Sequence, residues 1–161
     1  MGRVLAPDNA SLKRMRFLAG IATVLLLSGC AATVNLEAAP DSNNPLCAEV
    51  MVRLPDSIGE NEKRITNSQA TAAWGDPAVV LLRCGVAPVE VSALPCVTAG
   101  GIDWLVDDSQ APNFRFISYA TDPGIEVVVD SMNASGVTSL EQLSGAVRQI
   151  PASKVCTEIS N

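Results

Sequence analysis

Few side chains in this sequence stand where they could do chemistry, and most of those fall in three short stretches. In "AWGDP", Trp74 and Asp76 set an indole beside a carboxylate, a pair suited to the lip of a site for a sugar or an amine. The same residues also make a turn, with Trp74 on the core, Gly75 bending the chain and Asp76 capping it through its own backbone. Arg83 interrupts the apolar run "AVVLLRCGV" and could hold a carboxylate or phosphate bidentately, or pair with an acid such as Asp103. In "GIDWLVDDS", Asp103, Asp107 and Asp108 offer oxygens to a hard cation. They lack the glycine spacing and ligand-rich loop of a calcium site, so a solvated acidic loop is the better reading.

Histidine is absent altogether, which rules out Ser-His-Asp and Cys-His centres and every histidine metal site. A carboxylate pair for glycoside hydrolysis depends on a separation that only a fold sets. No catalytic residue, metal site or cofactor is therefore assigned. Trp74, Asp76 and Arg83 form the candidate binding surface.

The stretch "FLAGIATVLLLSGC" carries a different chemistry. Its apolar run, residues 17–27, is 11 residues long, too short to span a bilayer, and follows the basic "LKRMR". It reads as the hydrophobic part of an export signal. Leu27-Ser28-Gly29-Cys30 resembles the bacterial lipobox, in which a peptidase cuts before a diacylated cysteine. Two acyl chains anchor a protein lastingly where one does not. The expectation is a signal peptide over 1–29, lipidation at Cys30, and a place on the outer face of the cell membrane.

Cysteine arithmetic agrees. Five is odd for an exported chain; with Cys30 given to lipid, Cys47, Cys84, Cys96 and Cys156 remain to pair in an oxidising compartment. None is in C-x-x-C spacing, so structural bridges are expected rather than redox chemistry.

Charge narrows the partners. Of 11 basic and 17 acidic residues, Arg3, Lys13, Arg14, Arg16 and Asp8 lie before Cys30, leaving seven against sixteen and a net charge of −9. Such a domain does not bind nucleic acid, whose affinity comes from cations on phosphates.

These residues need elements to place them. Residues 30–45 are small, polar and Pro-containing, and read as the lipidated cysteine and a flexible tether; 46–161 reads as one globular domain. "LCAEVMVRL" (46–54) has Leu46, Val50 and Leu54 on one helical face before Pro55, and "PDSIGENEKRITNSQ" follows as a charged loop. Strands are predicted at 77–86, 101–106, 114–120 and 124–130, the last two joined by a tight turn at "TDPG". Phe114, Phe116 and Ser118 share one face, as do Ile125, Val127 and Val129. A final helix over 138–150 buries Leu140, Leu143 and Val147, opened by a capping box from Thr138 to Glu141. The predicted fold is α+β: a small four-stranded antiparallel meander with both helices packed on one face, stapled by disulfides. Cys84 and Cys96 flank a loop between neighbouring predicted strands, giving one bridge, which leaves Cys47 to Cys156 as the other.

The stretches "RLPDSIGENEKRIT", "NSQATAAWGDPAVVLLRCGV" and "PCVTAGGIDWLV" together resemble the actinobacterial family called domain of unknown function 3515, across essentially the whole mature region. The resemblance implies a short exported protein with a small α+β domain, and it carries no activity or catalytic residue. At "ISYATDPGIE", Ala120 stands where many members are expected to have arginine. The function expected is that of a non-catalytic lipoprotein with an envelope protein as partner; a small-ligand-binding lipoprotein, for a wall fragment or cation, is the alternative, and a carboxylate hydrolase ranks last.

Overall fold

The computed structural model describes residues 32–156 together with Gly2, so the predicted signal over 1–29 and the predicted lipidation site Cys30 lie outside the described residues. From Ala32 onward the chain forms one unit. Among the described residues no helix is long and apolar enough to cross a membrane.

Helix α1 spans Pro45–Met51 and α2 spans Gly136–Val147. The strands are β1 (Ser57–Ile58), β2 (Asn61–Arg64), β3 (Thr71–Trp74), β4 (Val80–Val86), β5 (Cys96–Ala99), β6 (Ile102–Asp107), β7 (Asn113–Ser118) and β8 (Gly124–Asp130). They form one sheet in the order β1-β2-β3-β4-β8-β7-β6-β5, antiparallel throughout. Two four-stranded meanders thus meet at the β4–β8 ladder. The α+β class stands, but the sheet has eight strands rather than four. β2 reads "NEKR", half-exposed and without apolar alternation, and β3 reads "TAAW", buried on both faces; neither pattern signals a strand.

Alternation assigns the faces. Val80, Leu82 and Cys84 of β4, Phe114 and Phe116 of β7, and Ile125, Val127 and Val129 of β8 belong to one core with Val50, Leu54, Leu140, Leu143 and Val147. Both helices therefore pack on the same face of the sheet. Asn44 caps α1 by accepting from the Leu46 amide (3.0 Å), with Pro45 at the first helical position. The cap of α2 is Ser135, accepting from the Thr138 amide at 3.3 Å, and not the predicted Thr138. Gly136 and Val137 extend the helix two residues before the apolar periodicity begins.

The tether is a correction. Val34 donates to Ile65 O and accepts from the Asn67 amide, and the Asp41 amide donates to Gly85 O at 3.0 Å. Ala39 and Ser42 are buried. Gly85 has φ +99°, and a Cβ there would overlap the backbone of Asp41 and Ser42. Residues 34–44 are part of the domain because their backbone donors are paired to it.

The disulfides form between the four expected cysteines, but the pairing differs. Cys47 is joined to Cys84 (Cα–Cα 5.6 Å) and Cys96 to Cys156 (6.4 Å). Cys84 and Cys96 cannot bond, because four ladders of about 4.8 Å separate β4 from β5, roughly 19 Å, and the two side chains leave opposite faces. Cys47 lies over β4, while Cys156 ends a segment that crosses to β5.

Candidate functional site

Trp74, Asp76 and Arg83 do not converge. Trp74 is fully buried, its indole N–H donating to Pro55 O at 3.1 Å, so it packs as core. Asp76 is exposed and pairs with Arg64 Nη1 at 2.8 Å. Arg83 pairs in register with Thr71, whereas Trp74 pairs with Val80, which puts Arg83 on the sheet face opposite Trp74. No single surface contains all three.

Arg83 belongs to a row of charges across that second face. Its Nε donates to Glu126 Oε1 at 2.7 Å, and Arg115 Nε donates to the other carboxylate oxygen. Asp107 lies 3.8 Å from Arg115 Nη1. The partner of Arg83 is thus Glu126, not Asp103. Glu126 is 4% exposed and is paired with both guanidinium groups, as a buried carboxylate requires. The signal for Glu126 was an acid between Ile125 and Val127 on an alternating strand, but only the β4–β8 register places it beside Arg83. Beside Arg83 is a cleft of about 280 Å³ that also includes Leu36, Glu37, Leu81 and Val128.

Asp103 and Asp107 of "GIDWLVDDS" are separately engaged, and Asp108 is exposed. Asp103 accepts from Thr98 Oγ1 (2.6 Å) and from the Cys156 amide (2.7 Å), docking the C-terminal segment. It lies with Cys96 and Cys156 in one cluster, but those sulfurs are joined in a disulfide, so the cluster presents no thiolate to a metal. Hydrogen bonds from Ser109, helped by Arg115, hold the Asp107 carboxyl below the usual carboxylate range.

The apolar concavity lies elsewhere. Between the β5 edge and the start of α2 runs a groove of about 370 Å³, whose walls include Val97, Val106, Phe114, Phe116, Val137 and Leu140. Val97 is 42% exposed and Val137 63%. Ser131 and Ser135 also line the groove, Thr98 contributes to its edge while its hydroxyl bonds Asp103 on the other face, and no ionisable side chain lines it. Its volume falls within the roughly 300–1,000 Å³ common to small-molecule pockets, and its lining is mostly apolar. The sequence reading missed it because β5 was not recognised as a strand, so Val97 had no assigned face.

The chain matches the family model described as "Protein of unknown function (DUF3515)" over residues 18–155. It belongs to that family. Among the described residues the match takes in both helices and all eight strands, and it ends one residue before Cys156. DUF3515 membership therefore applies to the whole described domain, including the groove and the charge row. No curated protein and no solved structure matches the chain.

Proposed function

We propose that the chain is a non-catalytic binding lipoprotein of the cell envelope, anchored through Cys30 on the outer face of the membrane, that captures an envelope protein in the groove between β5 and α2. The observation that carries this reading is an apolar groove left open by exposed Val97 and Val137. The anchor position supports it. Three residues separate Cys30 from Val34, four Cα steps and at most about 14 Å of chain. Val34 bridges to Thr66 beside β3, and five ladders, about 24 Å, separate β3 from β5. The groove thus lies at the other end of the sheet from the residues next to the proposed anchor, which supports its being open to a partner.

Two measurements test it. Cys30→Ala should shift the protein out of the membrane fraction and abolish metabolic labelling with palmitate. Photoreactive residues at Val97 and Val137, in cells, should give a protein adduct that the same residue at exposed Val52 does not. Equal labelling at all three positions would remove the groove from the proposal.

The cleft beside Arg83 favours the second reading, a small-ligand lipoprotein. Wall fragments that raise the melting temperature of the wild type but not of Arg83→Ala would favour it.

A further inference from the structure

The strand at the mouth of the groove ends the sheet, and its backbone is unpaired on the outer side. Val106 N donates to Pro95 O at 2.8 Å, which makes Pro95 and Val106 a hydrogen-bonded pair. Alternation then makes Val97–Trp104 and Ala99–Ile102 the bonded pairs of the β5–β6 ladder. The hairpin closes through Gly100 and Gly101, at φ +60° and +74°, the signs a two-residue type I′ turn requires. Cys96 and Thr98 therefore direct their N–H and C=O groups away from β6. Those four groups have no partner among the described residues.

We infer that the groove accepts an extended peptide segment of its partner, which adds as a ninth strand along β5 and seats apolar side chains against Val97, Val106 and Val137. This rests on the binding reading above and names its mode. Only a peptide supplies the ladder of donors and acceptors that the Cys96 and Thr98 backbone lacks, and alternate side chains of such a strand project onto the helix side, where the groove lies. The distance from the anchored end places a membrane lipid second as an occupant. Charge sets the flanks of the segment. Exposed Asp108 lies just beyond Val106 at one end, and exposed Glu141 lies beside Gly100 at the other, where Arg148 is held by Gly100 O. Asp107 and Asp130 face the other side of the sheet, and the chain from Cys30 onward has net charge −9. The matching segment is apolar at alternate positions and carries Lys or Arg at its ends.

The test uses the full chain purified from membranes in a nonionic detergent, with a displayed library of unconstrained nine-residue peptides as the probe. Enriched peptides should alternate apolar residues between basic ends. Thr98→Pro deletes an outward N–H at an edge position that tolerates proline, and should weaken their binding about tenfold. Thr98→Val keeps that N–H while losing the hydroxyl to Asp103, and should bind within about twofold of wild type. Val137→Asp, at an exposed position, should abolish binding. N-methylation of alternate peptide nitrogens should abolish binding to the wild type, a readout independent of how Thr98→Pro folds. If Val137→Asp and N-methylation disagree, with the methylated peptides still bound, strand addition is overturned while the groove reading stands. If no peptide is enriched, or Val137→Asp binds normally, both fall. Native mass spectrometry showing a retained lipid or a dimer in place of peptide, or a crosslink from Thr98 to residues 157–161 of the same chain, would also overturn the peptide.

Discussion

Arg83 and Arg115, from strands on either side of β8, hold opposite oxygens of one carboxylate, Glu126. Glu126 is 4% exposed, while the Arg83 and Arg115 side chains remain 33% and 40% exposed. The three residues tie β4, β8 and β7 together at the junction of the two meanders. Glu126→Gln keeps the shape and removes the charge. It should cost about 2–3 kcal/mol in urea unfolding, below the range for fully buried pairs because both guanidinium groups reach water. A loss under about 0.5 kcal/mol would mean the row does not stabilise the junction.

The two disulfides should separate on reduction. Cys47 and Cys84 are fully buried, whereas Cys96 and Cys156 are half-buried, and thiol attack needs access. Graded dithiothreitol followed by alkylation and mass mapping should label Cys96 and Cys156 first. Replacing Cys47 and Cys84 together by Ala, a closure of 37 residues in sequence, should cost about 4 kcal/mol on the chain-entropy account. Labelling of all four cysteines in one step would contradict the order.

Trp74 and Asp76, adjacent in sequence but for Gly75, should behave oppositely. Trp74→Ala empties the core and breaks the bond to Pro55, at a cost of about 3–5 kcal/mol. Asp76→Asn alters a pair that is exposed only at its Asp76 end. Arg64, 10% exposed, keeps its bonds to Gly75 O and Ala32 O, so stability should change by about 1 kcal/mol or less. Neither should affect capture by the groove if the fold persists. Calorimetry of both variants gives the comparison.

The C-terminal segment should loosen in alkali. A hydrogen bond from Lys154 to Glu90 raises the Lys154 pKa above its ordinary 10.5. Its contribution is complete below 10.5 and disappears as pH rises through the folded-state value. Asp107 has the opposite sign: its pKa is lowered by the bonds from Ser109, so its contribution is present above 3.8 and disappears as pH falls through the folded-state value. Thermal melts of Lys154→Ala should lose part of the alkaline slope seen in wild type, and Ser109→Ala part of the acid slope. Unchanged slopes in both would show that these contacts do not hold the fold.

Much of the molecule was readable from local pattern. The class, α2 with Leu140, Leu143 and Val147 inward, the β7–β8 pair joined at "TDPG", and four cysteines in two bridges all follow from periods and turn residues that short-range sterics enforce. Family membership followed from the stretch around Trp74-Gly75-Asp76-Pro77. What failed was non-local. β2 and β3 are strands because neighbouring ladders accept them, although "NEKR" and "TAAW" have no strand pattern of their own. Residues 34–44 resemble a linker by composition, yet the turn of β4 at Gly85 receives them.

The sequence by itself determined the alternation of each apolar strand, the inward stripe of α2, the net charge and the number of cysteines left to pair. Tertiary structure alone decided which cysteine meets which, that Arg83 meets Glu126, and that Val97 and Val137 face one groove. Strand order is set by which edges bury together after long chain excursions, and a one-dimensional pattern records the face of a residue but not its neighbour across the sheet.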